Sequence, residues 1–132
     1  MADGRGPILI VDDSRAVRLT IQFVLTRAGF GTLLAADGEA GLAAARRERP
    51  PVVLLDVDMP RLDGFEVCRR IREDAALAGT YVVMLTSNGQ QADELRAREA
   101  GADRYVTKPF NDDAVVELLA ELLERPRAQE TP

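Results

Sequence analysis

In VVLLDVDMP, residues 52–60, an apolar run ends on a carboxylate, Asp56, and a second, Asp58, follows one residue later. The apolar run ILIV at 8–11 ends in the same manner on Asp12 and Asp13. Aspartates gather at strand ends and helix starts as caps. The spacing alone therefore leaves a cap, a phosphate acceptor, a metal site and a hydrolase motif all open. The basic residues are more telling: 16 of the 17 are arginine, and the single lysine, Lys108, lies in YVTKPF. A compositional bias explains the arginines but not the exception. An ammonium is a compact, mobile point charge and a guanidinium a planar fork, so Lys108 is a candidate for a specific task.

These residues need a frame that brings them together. Short apolar runs at 8–11, 32–36, 52–55, 81–85 and 105–106 alternate with segments of helical period. Three of the runs are continuously apolar, as in parallel strands covered on both faces. The first helix is predicted from Ser14 to Ala28, with Val17, Ile21, Val24 and Ala28 facing inward and Gly29 ending it. Asp37 and Asn111 are predicted helix caps, and Asp63 with Glu66 forms a capping-box pattern. The segment between Gln90 and Ala100 is the most polar helix. Five βα units in this order predict an α/β domain, a parallel sheet with helices on both faces joined by right-handed crossovers.

In such a sheet, chemistry collects outside the carboxyl ends of the strands. Asp12 and Asp13 follow the first strand, Asp56 and Asp58 the third, Thr86 and Ser87 the fourth, and Lys108 the fifth. Carboxylates crowded in this way repel by roughly 4 kcal/mol per pair at 4 Å in a semi-polar site. They must bind a divalent cation, hold a proton or face a fixed cation. An oxygen-only donor set favours Mg2+. The chemistry indicated is that of phosphate assisted by a metal.

ILIVDDS, LLDVDMPRLDG, MLTS and YVTKPF, in this order and at this spacing, resemble the successive signatures of the two-component response-regulator receiver domain. The resemblance runs from residue 7 to about 125. It implies a doubly wound, flavodoxin-like sheet in the order 2-1-3-4-5 and a phosphorelay function. Asp56 would accept a phosphoryl group from a sensor histidine kinase or a histidine phosphotransferase. Asp13 would bind Mg2+ directly and Asp12 largely through water, with Asp56 and the main-chain carbonyl of Asp58 completing the ligands. Lys108 would pair with one phosphoryl oxygen and Thr86 with another, and Tyr105 would follow the state of Thr86 as a switch. The Lys108–Pro109 bond matches one often cis in the family. A carboxylate nucleophile is ionised at neutral pH and needs no base, which fits a chain without histidine.

Two neighbouring readings share parts of this pattern. Haloacid-dehalogenase-like phosphatases also place Asp-x-Asp after an apolar strand, but Met59-Pro60 stands where Gly-Thr is expected, and the motif comes third among the strands. A degenerate receiver would bind partners without phosphorylation, against which the intact acidic, Thr and Lys positions speak. The receiver resemblance implies no enzyme but a phosphoacceptor signalling domain that promotes its own phosphorylation and dephosphorylation, whereas phosphate turnover would favour the phosphatase.

The bulk properties agree with one globular domain. The chain has 132 residues, 46% hydrophobic and 30% charged, with a net charge of −5. That balance offers no basic footprint for nucleic acid or an anionic membrane. No signal peptide or membrane span is apparent, and a single cysteine, Cys68, fits a cytoplasmic location. Residues 1–6 and 126–132 are expected to be flexible ends around a domain at 7–125. The output partner is left open, and the resemblance is compatible with a weak or phosphorylation-dependent dimer. One surface feature stands apart: Leu19 and Phe23 lie opposite the inward stripe of the first helix. Either the last helix or the tail covers them, or they form a docking patch for the phosphodonor.

Overall fold

The structure, a computed structural model, describes residues 6–87, 91–109, 111–125 and 127. Five strands, β1 (Ile8–Val11), β2 (Thr32–Ala35), β3 (Val52–Asp56), β4 (Tyr81–Thr86) and β5 (Arg104–Thr107), form one sheet in the order β2-β1-β3-β4-β5. Every pairing is parallel, with Ile8 opposite both Thr32 and Val52. The helices are α1 (Arg15–Arg27), α2 (Gly38–Glu48), α3 (Gly64–Glu73), α4 (Gln91–Glu99) and α5 (Asp112–Leu123). A 3-10 turn at Ala75–Leu77, not foreseen in the sequence, leads into β4.

Alternation along the strands builds two cores. Leu9, Val11, Val53, Leu55, Val82 and Met84 point to the face covered by α2, α3 and α4, and pack with Leu42, Val67, Cys68 and Ile71. Ile8, Ile10, Val52, Leu54, Val83 and Leu85 point the other way, against α1 and α5. Because both faces are covered, the runs read as continuously apolar and not alternating. Burying such a side chain contributes about 1.5–3 kcal/mol. Cys68 lies fully inside, and burial pushes its thiol up to about 11, so it serves as filler.

The caps predicted at Asp37, Asp63 and Asn111 form, and Ser14, where the first helix is predicted to begin, stands just before α1 as its cap. Ser14, Asp37, Asp63 and Asn111 accept from the backbone N–H three residues on, at 3.2, 2.8, 3.0 and 3.0 Å. The capping box is only half made, because the Glu66 carboxylate pairs with Arg69 and Arg70. Gly29 takes φ +95, the left-handed geometry expected after α1. The inward stripe of α1 needs correction. Ile21 and Leu25 are its buried residues, Val17 and Val24 are half-buried, and Ala28 is an exposed cap. Leu25 packs on the Ile8–Ile10 side of the sheet, so the contact line is carried by the longer side chain and Ala28 is left outside.

Residues 1–5, Pro126 and 128–132 of the expected flexible ends lie outside the described residues, as does Gln90 of the expected fourth helix. Arg127 is described and is held by side-chain contacts.

Candidate phosphoacceptor site

The strand order sets where the site lies. The chain leaves β1 toward one edge through β2 and crosses to β3 on the other side of β1. A crevice therefore opens between the carboxyl ends of these two neighbours. Asp12, Asp13 and Asp56 meet there, each offering a carboxylate oxygen within 4.8 Å of the others. Asp12 and Asp56 are buried and Asp13 is exposed, so the group has a dry floor and an open mouth.

Local hydrogen bonds fix each acid. Asp12 Oδ1 accepts from the Ser14 N–H at 2.9 Å, and its carbonyl accepts from Arg18 Nη1 at 2.8 Å. Asp56 Oδ1 accepts from the Asp58 N–H at 3.3 Å. Gly64 permits this turn, because a Cβ there would collide with the Asp56 carbonyl oxygen. Lys108 reaches in from the end of β5, with Nζ at 3.2 Å from both Asp12 Oδ2 and Asp56 Oδ1. The Lys108–Pro109 bond is cis.

Two buried carboxylates thus share one ammonium. Burial pushes the Asp56 carboxyl up to about 6, with the Asp12 charge adding to it and Lys108 opposing. Burial disfavours the Lys108 charge, yet the Asp56 and Asp12 carboxylates hold it above the usual lysine range. The excess negative charge, on oxygen donors with one exposed member, suits a hard divalent cation. The residues present therefore fit Mg2+.

Thr86, fully buried at the end of β4, is hydrogen-bonded to the Tyr105 side chain, and its carbonyl accepts from the Lys108 N–H at 2.6 Å. Burial, more than any neighbouring charge, raises the Tyr105 hydroxyl pKa. Asp58 is exposed and stands outside the acidic triad; its Oδ2 accepts from Ser87 Oγ at 3.3 Å. That bridge and the Arg18 contact to Asp12 escaped sequence reasoning, since no spacing rule pairs Asp58 with Ser87 or Asp12 with Arg18.

Comparison with known proteins agrees with this fold. The family model described as response regulator receiver domain matches residues 8–120. The alkaline phosphatase synthesis transcriptional regulatory protein PhoP of Bacillus subtilis is 37% identical over 118 residues, covering 89% of this chain and 48% of that protein. The DNA-binding dual master transcriptional regulator RpaA of Synechocystis is 39% identical, with 89% and 49% covered. Among solved structures, the chemotaxis protein CheY4 of Vibrio cholerae superposes with a TM-score of 0.84 at 31% identity, over 90% of this chain and 99% of that one. The BeF3-activated DrrB receiver domain gives 0.82 at 34% identity, over 95% and 100%.

The chain spans about half the length of the curated relatives named here. They are named as transcriptional regulators, so the expectation of no nucleic-acid partner finds no support among them. No helix among the described residues is long and apolar enough to cross a membrane. The phosphatase alternative gives way, because the matching model begins with β1 and runs nearly to the end of α5. The chain belongs to the response-regulator receiver domains, the signalling modules of two-component systems.

Proposed function

We propose that the domain takes a phosphoryl group onto Asp56 from the phosphohistidine of a sensor histidine kinase or histidine phosphotransferase. An Asp56 carboxylate oxygen attacks phosphorus, the P–N bond breaks, and its electron pair returns to the imidazole. The observation that carries this reading is Asp56 itself: buried, beside two further acids, and touched by the only lysine. Asp13, Asp12, Asp56 and the main-chain carbonyl of Asp58 would hold Mg2+. When bound, the ion neutralises charge on the phosphoryl oxygens. Lys108 supplies a second positive charge, and the Thr86 hydroxyl a donor whose engagement would draw Tyr105 with it. The test is labelling by a small acyl phosphate, read by intact mass. One phosphoryl group should be added with Mg2+ and none with chelator. An unmodified chain under both conditions would favour the degenerate-receiver reading.

Asp58 is proposed to act on phosphate lifetime and not on metal binding by its side chain. Its carboxylate turns to Ser87 across the mouth of the site, where water must pass. Asp58→Asn should change the dephosphorylation rate by roughly two- to tenfold, the scale of one partly screened charge. Mg2+ affinity, followed by titration, should barely move. A large loss of affinity would make the Asp58 side chain a ligand.

The phosphodonor is proposed to dock on α1. Leu19 and Phe23 remain 42% and 61% exposed, so neither α5 nor the described end of the chain covers them. Arg15 and Arg27 continue the same i, i+4 line, with Arg27 over the Phe23 ring at 5.5 Å. Beside them, a cleft of ≈ 650 Å³ lined by Val17, Thr20 and Pro109 leads to Lys108. Leu19→Ser with Phe23→Ser should slow transfer from the cognate kinase at least about tenfold, given roughly 3 to 5 kcal/mol of apolar burial at stake. Labelling by the small phosphodonor should persist and thermal stability should hold. Equal loss of both labelling routes, with a lower melting temperature, would return the pair to the core.

A further inference from the structure

At the amino-terminal ends of β4 and β5, at the opposite end of the strands from Asp56, a single carboxylate gathers several donors. Asp103 Oδ2 accepts from the Val82 N–H at 2.8 Å and from Arg72 Nη2 at 3.2 Å, while Oδ1 accepts from Arg127 Nε at 2.9 Å. Arg72 also donates from Nε to the Gly101 carbonyl at 3.0 Å and from Nη2 to the Thr80 carbonyl. Arg127 donates from Nη1 to the Ala78 carbonyl at 2.9 Å. Two residues earlier, the Arg125 carbonyl accepts from the Tyr81 hydroxyl at 2.8 Å. The chain leaving α5 is thereby tied at two points to the turn before β4 and the turn before β5.

We infer that Arg125 and Arg127 form a C-terminal strap that fixes where the chain departs from the domain, with Asp103 as its anchor and Arg127 as its latch. The folded unit then reaches to residue 127. Exposed arginine–carboxylate pairs contribute little, because two mobile side chains must be ordered and water competes. Here the Arg127 and Asp103 side chains are only 22% and 14% exposed. The carboxylate is already oriented by Val82 and Arg72, so closing the strap orders one side chain and not two. Two different nitrogens of Arg127 reach two different acceptors, which a lysine cannot reproduce. The strap lies far from the acidic crevice, so its opening frees the departing chain without altering Asp56. The inference stands whether or not Asp56 accepts a phosphoryl group.

Trypsin provides the test, because it must take the residue 127 side chain into its own pocket and so cuts only when the latch is open. The bond after Arg125 precedes a proline and resists cleavage. In the full chain, cleavage after residue 127 is followed by mass spectrometry for the wild type, Arg127→Lys and Asp103→Asn. Both variants should be cut at least about tenfold faster, since rapid opening makes the rate track the open population. Asp103 also holds Arg72 and Val82, so its variant could loosen the fold; Arg127→Lys is therefore decisive. It should keep the wild-type circular dichroism spectrum and the wild-type response to acyl phosphate, whatever that response is. Cleavage of Arg127→Lys within about twofold of the wild-type rate would overturn the strap. So would an altered response to acyl phosphate, which would show that the contact belongs to the acceptor site.

Discussion

Asp56→Asn is expected to abolish labelling by acyl phosphate and, with chelator present, to make the protein more stable at neutral pH. The first effect follows from removing the nucleophile. An amide oxygen bears no full charge, and Asp12 and Asp13 are the acids proposed to hold Mg2+. The second follows from the carboxyl pKa. Asp56 titrates near its ordinary 3.8 in the unfolded chain and near 6 when folded. The folded state holds this proton more tightly, so the stability linked to it is complete below about 3.8 and is lost as pH rises through about 6. At pH 7.5 the ionised group therefore opposes folding, by at most about 3 kcal/mol at 1.36 kcal/mol per pKa unit. Asparagine removes that opposition and can still accept from Lys108. The variant should melt several degrees above the wild type at pH 7.5, and the gap should close near pH 4. Retained labelling would remove Asp56 as the acceptor. A gap that did not depend on pH would remove the buried charge as its cause.

The strands were legible because both sheet faces are covered, which turns β1, β3 and β4 into uninterrupted apolar runs that nothing else in a short domain requires. Asp12, Asp13, Asp56, Thr86 and Lys108 were legible for a related reason. They stand where those runs stop, and a parallel sheet brings all such points to one edge. What escaped depends on contacts between distant segments. Periodicity gave Val17, Ile21, Val24 and Ala28 equal standing on α1, but only packing against Ile8 and Ile10 selects Leu25 and leaves Ala28 outside. Glu66 has the capping-box position, yet two guanidiniums three and four residues on compete for its carboxylate and win. The Asp103 clamp joins residues 31 and 24 positions apart, with no spacing rule to announce them. The tail around Arg127 is rich in arginine and proline and reads as solvated chain until the anchor is seen.

Lys108→Arg should fold, accept phosphate slowly and fail to switch. Lys108 Nζ stands 3.2 Å from both Asp12 Oδ2 and Asp56 Oδ1, a position one small ammonium can occupy and leave again. A guanidinium keeps the charge that two buried carboxylates require, so stability should change little. Its planar fork can engage both acids at once, and that geometry resists release toward a phosphoryl oxygen. Labelling should slow by roughly tenfold, less than the roughly hundredfold or more that outright loss of a charge-stabilising donor costs, because the charge is kept. The larger consequence lies at Thr86 and Tyr105, which are hydrogen-bonded to each other before phosphorylation. If Lys108 and Thr86 take separate phosphoryl oxygens, Thr86 must be drawn from Tyr105 toward the phosphoryl group, and a misplaced phosphoryl group leaves that bond intact. The chain has no tryptophan and two tyrosines, so in a Tyr81→Phe background tyrosine emission reports Tyr105 alone. Full labelling should change that emission with Lys108 in place and leave most of it unchanged in Lys108→Arg. Equal changes at equal labelling would show that any cation serves at this position, and that the lone lysine has no part in the switch.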